Sequence, residues 1–281
     1  MTNDLSWMLE DIVSNVPKAR HAVLLSADGL PRGATDGMSE KDVRTISAAM
    51  AGMQALSRAT SHFAGPGEDR QWNQTIIEFS HGWIFLIGAG QGAYLAAAAA
   101  PDVDMQQISF RMHRLVARLG NNLTSPPRVN AEAVAERSDR AGGQLGGRRG
   151  TGVPIADLDE AVGEVRGARH AVLLGADGLP RGATTGMSQD LADTISAAMT
   201  GIHAYSRATS QFAGVHEHAR WRQTVIEFQH GWIFLISAGQ RAFLAAAADH
   251  DADIEEFTTR LHQVVPRLSA HLSPQGAVSS K

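Results

Sequence analysis

The segment ARHAVLLSADGLPRGAT, beginning at Ala19, returns as ARHAVLLGADGLPRGAT beginning at Ala168, an offset of 149 residues. The offset holds without a gap from Ala19 to Ala99, and 58 of those 81 positions are identical. Solenoid units repeat every ~20–50 residues, so a copy this long is a whole domain in tandem. Whatever one half folds into, the other must fold into as well. The first copy is read as residues 1–123 and the second as 155–272, with 124–154 as a flexible linker and 273–281 as a tail. The linker is dominated by Pro, Gly, Ser and charge and sustains no apolar face. Its reach is roughly 30 Å, enough for the halves to meet within one chain or to exchange between two chains.

Composition then removes classes of function. With 25 Lys and Arg against 29 Asp and Glu, the net charge of −4 offers no basic surface for nucleic acid. The absence of cysteine removes disulfides, thiolate catalysis and cysteine metal sites. The stretch MTNDLSWMLED carries acids where a signal peptide would carry Lys or Arg. Apolar stretches such as WIFLIGAG fall well short of the ~18 residues a spanning helix needs. A soluble, cytoplasmic protein without direct membrane insertion is expected.

Periodicity predicts the elements of each copy. In the first, Leu5, Met8, Leu9, Ile12, Val13 and Val16 recur at helical spacing. His21 to Ala27 reads as a strand ending at Asp28-Gly29, a hairpin turn, with Leu30 to Ala34 returning. Ser39 caps a long helix to about Phe63. Trp72 to Phe79, Trp83 to Gly88 and Ala93 to Ala99 read as strands, and Asp104 to Leu123 as a closing helix. Hairpin connections imply a five-stranded antiparallel sheet, and the nearly continuous apolar strands imply helices on both faces. The fold class is α/β: two tandem α/β/α sandwiches of order α-β-β-α-β-β-β-α.

This order resembles the roadblock/LC7 (dynein light chain) family, and in particular the single-domain members of actinobacterial conservon operons. The likeness is carried by LSWMLEDIVSNVPKARHAVLLSADGLP, TISAAMAGMQALSRATSHF and TIIEFSHGWIFLIGAG, and by their counterparts in the second copy. The resemblance implies strand order 2-1-5-4-3 and pairing through the third strand and the long helix. It also implies a non-catalytic role as regulator or scaffold of a small Ras-like GTPase, with a sensor-kinase-like protein of the same operon as a further partner and no cofactor.

In that strand order Trp72 to Phe79 is an edge. It has no Lys and no Pro and is expected to form no bulge that would prevent pairing, and the same is expected of Trp221 to Phe228. The expected pairing interface is Trp72, Gln74, Ile76 and Glu78 with Met50 and Met53 of the long helix, facing Trp221, Gln223, Ile226 and Glu227 with Met199 and Ile202. Small residues on that helix, Ala48, Ala51, Gly52 and Ala55 among them, leave its backbone approachable. The two copies are expected to pair edge to edge, as one chain or as a homodimer.

Candidate chemistry reads mostly as structure. Asp28 and Asp177, and His81 and His230, precede Gly in hairpins, where left-handed backbone is tolerated. His21 and His170 begin a strand and read as satisfied core or boundary residues. Glu78 and Glu227, inside apolar strands, need partners. Arg70, Arg220 and Arg222 are candidates. His216 and His218 are a faint metal hint. No phosphate loop, zinc motif or nucleophile elbow is present, so no catalytic residue, cofactor or metal site is assigned. Arg32, Arg58, Arg181 and Arg207 are candidate partner contacts. The competing reading is a small-molecule sensor with a PAS-, GAF- or profilin-like sandwich, which would need a cavity.

Overall fold

The computed structural model describes residues 5–65, 71–90, 92–119, 155–214, 220–239 and 241–272. The linker 124–154, the tail 273–281, Arg70, His216 and His218 lie outside them. The first half contains α1 (Ser6–Asn15), β1 (Ala19–Ser26), β2 (Pro31–Ala34), α2 (Glu40–Ala59), a four-residue α3 (Ser61–Ala64), β3 (Trp72–Phe79), β4 (Gly82–Gly88), β5 (Ala93–Ala99) and α4 (Met105–Leu119). The second contains α5 (Ala156–Gly163), β6 (Ala168–Gly175), β7 (Pro180–Ala183), α6 (Gln189–Ala208), β8 (Trp221–Phe228), β9 (Gly231–Ser237), β10 (Ala242–Asp249) and α7 (Ile254–Leu272).

All ten strands form one sheet in the order β2-β1-β5-β4-β3-β8-β9-β10-β6-β7. Each half contributes the order 2-1-5-4-3 and its mirror, and the halves join at β3 and β8. Three apolar clusters fill the layers. One, shared by both halves, lies between the sheet and the α2/α6 layer, and takes in Met50, Ile77 and Phe79 with Met199, Ile226 and Phe228. The other two lie on the opposite face, under α1 and α4 in the first half and under α5 and α7 in the second.

Local chemistry explains the boundaries. Ser39 and Ser188 sit in extended backbone and accept from the backbone N–H of Asp42 and Leu191, capping α2 and α6. The long helix stops four residues earlier than expected. At Thr60 the backbone leaves the helix, and the hydroxyl donates to the Ser57 carbonyl, so Phe63 belongs to a separate turn. The turns also work differently from expectation. Gly29 and Gly178 hold the left-handed conformation at φ 80° and 79°, not the aspartates before them. His81 and His230 are not left-handed either. Asp28 instead accepts from the Ser26 hydroxyl, which lowers its pKa.

Candidate interaction surface

The junction between the halves is built from three elements of each. The first is the ladder. β3 and β8 are antiparallel, with Gln74 opposite Glu227, Ile76 opposite Val225 and Glu78 opposite Gln223. Contrary to the expectation of a strand without bulges, the register shifts between Trp72 and Gln74 and between Glu78 and Phe79, yet the strands still pair. Beyond the strands, Ser80 N–H donates to the Arg220 carbonyl at 2.8 Å and Gln229 N–H to the Gln71 carbonyl at 2.9 Å, so backbone pairing runs past both ends. Burial alternates along each strand. Thr75, Ile77 and Phe79 lie under α2, while Gln74, Ile76 and Glu78 face the other way and are half-buried. Trp72 and Trp221 are anchored alike, each indole N–H donating to a buried threonine, Thr75 at 3.0 Å and Thr224 at 2.9 Å.

The two strand carboxylates are held across the ladder. Glu78 accepts from Gln223 Nε2 at 2.7 Å and from Arg222 Nη1 at 3.0 Å. Glu227 accepts from Gln74 Nε2 and, at 3.4 Å, from Asn73 Nδ2, with His250 Nε2 at 3.9 Å. Of the arginines expected to serve these acids, Arg222 does. A charge-assisted bond of this kind satisfies a carboxylate that is only about 14% exposed.

The second element is the helix pair. α2 and α6 cross with glycine under a bulky residue at each contact. A Cβ on Gly52 would stand 2.5 Å from Tyr205 Cζ, and one on Gly201 would stand 2.6 Å from Leu56 Cδ1. Gly52 and Leu56 correspond to Gly201 and Tyr205 in the repeat, so one contact is used twice about a pseudo-twofold axis. Met50, Met53, Met199 and Ile202 are fully buried in the shared core beneath these helices. The close helix–helix approach is made by Gly52, Leu56, Gly201 and Tyr205 instead, because a crossing this tight needs glycine on one side.

The third element is absent from the expected interface. The residues after each long helix cross to the other half. α3 packs on β9 and β10. Ser61 carbonyl lies 3.1 Å from His230 Nε2, and a Cβ on Gly231 would meet the Ala64 carbonyl at 2.7 Å. In the mirror contact Phe212 stacks on His21, and Arg20 donates to the Ala213 carbonyl. Two of the histidines singled out as possible chemistry, His21 and His230, are therefore junction residues. His21 and His170 are not satisfied as expected, since each Nδ1 is buried without a partner. Burial, with Arg20 or Arg169 adjacent, pushes both pKa values down. A periodicity argument could not find this crossing. The signal was the run of identity through SRATSxF, which continues past the point where the helix ends.

The four arginines do not form one patch. Arg32 and Arg181 lie on β2 and β7, the two outermost strands of the sheet, and Arg181 is paired with Asp177 at 2.6 Å. Arg58 and Arg207 are exposed in the last turns of α2 and α6. Arg58 sits by the Tyr94 hydroxyl, whose pKa burial raises and Arg58 partly restores. A cavity of about 120 Å³ opens at the junction, lined by His21, Asp42 and Thr45 of one half and Gln211 and Phe212 of the other. Among the described residues no group of three or more His, Asp or Glu side chains could hold a metal. No helix among them is long and apolar enough to cross a membrane.

Fold and junction together define a class: two α/β/α sandwiches joined edge to edge into a twofold-like assembly whose long helices form one layer. The Roadblock/LC7 domain profile matches twice, over residues 5–99 and 154–248. The chain belongs to the Roadblock/LC7 domain family, in tandem form. Among solved structures it is similar to a Roadblock/LC7 domain from Streptomyces avermitilis, at 27% identity over 44% of this chain and 100% of that one (TM-score 0.40). It is also similar to the gliding protein MglB from Thermus thermophilus, at 16% identity over 41% and 84% of the two chains (TM-score 0.36). Myxococcus xanthus MglB matches at 11% identity over 46% and 90% (TM-score 0.35). No curated protein matches the chain.

Proposed function

We propose that the chain is a non-catalytic regulator or scaffold of a small Ras-like GTPase in the cytoplasm, which docks on the layer formed by α2 and α6. The observation that carries the reading is the β3–β8 ladder. It sets the two long helices side by side, so that one chain supplies the whole paired platform. The outward residues of these helices suit a docking surface. Ala48, Ala55 and Ala59 are exposed on α2, as are Ala197, Ala204 and Ala208 on α6, and they let a partner's backbone come close. Tyr205 stands among them, about one-third exposed.

Distance selects among the arginines. Ten strands at ~4.8 Å put β2 and β7 about 43 Å apart, too far for one GTPase domain to touch Arg32 and Arg181 together. Arg58 and Arg207, on the platform itself, are the favoured contacts. Covalent linkage raises the effective concentration of the second half to roughly millimolar, so the platform forms within one chain whatever its expression level. A sensor-kinase-like protein would be a second partner. The sensor reading draws on the junction cavity, and ligand copurification or a thermal-shift screen addresses it.

The test is co-expression with small GTPases of the same genome. Binding is measured in the GDP and GTP-analogue states, followed by a hydrolysis assay with wild type and Arg58→Ala/Arg207→Ala. A cognate GTPase that binds in neither state sinks the reading. Light scattering on a size-exclusion peak is expected to give the 29.9 kDa of one chain. A stable two-chain mass would mean the halves exchange.

A further inference from the structure

The sheet face opposite α2 and α6 is incompletely covered. α1 and α4 pack over β1, β2 and β5, and α5 lies over β6 with α7 against it, but among the described residues no helix lies over β3 and β8 on this side. A trough therefore runs along the junction between α4 and α7. Its floor is the cross-strand triplet Gln74–Glu227, Ile76–Val225 and Glu78–Gln223. On the α4 side it deepens into a cavity of about 540 Å³, lined among others by Gln74, Ile76, Phe85, Met105, Phe110 and His113. Phe110 stands on its rim with 62% of its surface exposed.

The charge of the trough is one-sided. At one end Glu78 is neutralised by Arg222. At the other, Glu227 pairs with no Lys or Arg among the described residues, only with amides and, at 3.9 Å, with His250. The ladder sets Glu227 opposite Trp232, and Trp232 opposite Ala248. This is the end at which β10 hands over to α7, whose first turn carries the exposed Glu255 and Glu256. Neither has an ion pair among the described residues. The two halves have diverged at just these positions. Phe110 corresponds to Thr259 and Gln106 to Glu255, so the α7 wall lacks the exposed ring of the α4 wall and carries carboxylates beside Arg260, which is itself paired with Glu164.

We infer that this trough is a docking groove for a partner segment that is an amphipathic α-helix with a basic flank. A helix is required because β3 and β8 already spend their backbone groups on each other, which leaves no edge for an added strand. An apolar anchor of the helix fills the cavity beside Phe110 and covers Ile76 and Val225. Lys or Arg on its flank meets Glu227, Glu255 and Glu256. The uneven charge gives the helix a single direction, although the fold beneath it is twofold-like. This groove lies on the face away from α2 and α6 and does not depend on those helices binding a GTPase.

The test uses the full chain and two fluorescein-labelled 18-residue helical peptides of the same amphipathic pattern, one of Leu and Lys and one of Leu and Glu. Fluorescence anisotropy is expected to show the Leu/Lys peptide binding at least tenfold more tightly. Phe110→Ala and Glu255→Lys should each weaken it at least fivefold. Both positions are exposed, so the fold should survive. Asp36→Lys makes the same charge change beside β2, at the far end of the sheet, and should leave binding within twofold. Equal binding of the two peptides overturns the proposal, as does an Asp36→Lys effect equal to that of Glu255→Lys. So does self-association of the chain that Phe110→Ala abolishes, because a second copy would then own the groove. If Phe110→Ala and Glu255→Lys abolish GTPase binding, the groove is part of the GTPase site and not a separate one. Loss of GTPase binding with peptide binding intact would instead count against the α2/α6 reading alone.

Discussion

The two halves share their buried sheet and differ where they meet the outside or each other. Both bury the same tryptophan–threonine pair, the same serine beneath the long helix and the same apolar strands. Around that constant core, single replacements have redirected whole contacts. Arg169 lies beside Gly65 of the other half but spends its charge on Asp249 of its own. Arg20 has Ala100 at the corresponding place, finds no carboxylate, and reaches across to the Ala213 carbonyl instead. Gln54, Trp72 and Tyr94 in the first half become His203, Trp221 and Phe243 in the second, where the imidazole sits 4.1 Å from the Phe243 ring centroid. Gly92 becomes Arg241 in the same left-handed backbone, φ 67° against 61°. Duplication held the sheet fixed, because any change there must fit neighbours on both faces, and released the margins.

The comparison can be tested by breaking equivalent positions. The largest effect is expected from Phe63→Ala and Phe212→Ala, since both rings are buried where one half crosses onto the other. Each should cost about 3–5 kcal/mol in chemical denaturation. A loss below about 1 kcal/mol at one of them would show that the crossing matters on one side only.

Next is Gly231→Ala against Gly82→Ala. A Cβ at Gly231 meets the Ala248 carbonyl at 2.5 Å and the Ala64 carbonyl at 2.7 Å, whereas at Gly82 the two oxygens stand at 2.5 and 3.0 Å. Backbone cannot move aside cheaply, so both should destabilise by about 1–3 kcal/mol, with Gly231→Ala the worse. The reverse order would mean that the second crossing, at Gly214, is the tighter.

His203 sharpens the contrast through pH. Burial and nearby Arg207 lower its pKa to about 4, below the ordinary 6.5. The unfolded chain therefore binds this proton first, and stability falls as pH drops from about 6.5 toward 4. His203→Gln, which copies the first half, should flatten that part of the melting-temperature profile by a few degrees at about pH 5. An unchanged slope would assign the acid sensitivity to His21 and His170.

Two small effects complete the series. Arg241→Gly should stabilise by about 0.5–1 kcal/mol by relieving a left-handed arginine. Arg222→Ala should cost at most about 1 kcal/mol, because the guanidinium is 61% exposed. A larger loss would mean that Glu78 has no other adequate partner.

Much of this was legible in the residues. Apolar runs between turn signals mark the strands and helical periodicity marks the long helices to within a few positions, while it is the strand order implied by the family resemblance that makes the unguarded WNQTIIEF and WRQTVIEF segments edges. What local pattern cannot reveal is which atoms face each other across the junction. Periodicity marks Met50 and Met53 as apolar, and both a core and an interface use apolar residues. Only the crossing at Gly52 and Gly201 distinguishes the two. Likewise nothing near His21 in the chain points to Phe212.

Side-chain pattern along the chain is enough for two copies of one set of helices and strands and for a third strand in each without Lys or Pro, because both are properties of neighbouring residues. It took the folded chain to show that the residues after α2 and α6 exchange sides and that, among the described residues, Glu78 gains an arginine while Glu227 does not and no helix covers the far face of the junction. Those outcomes depend on contacts between residues more than a hundred positions apart, whose energies no local pattern encodes.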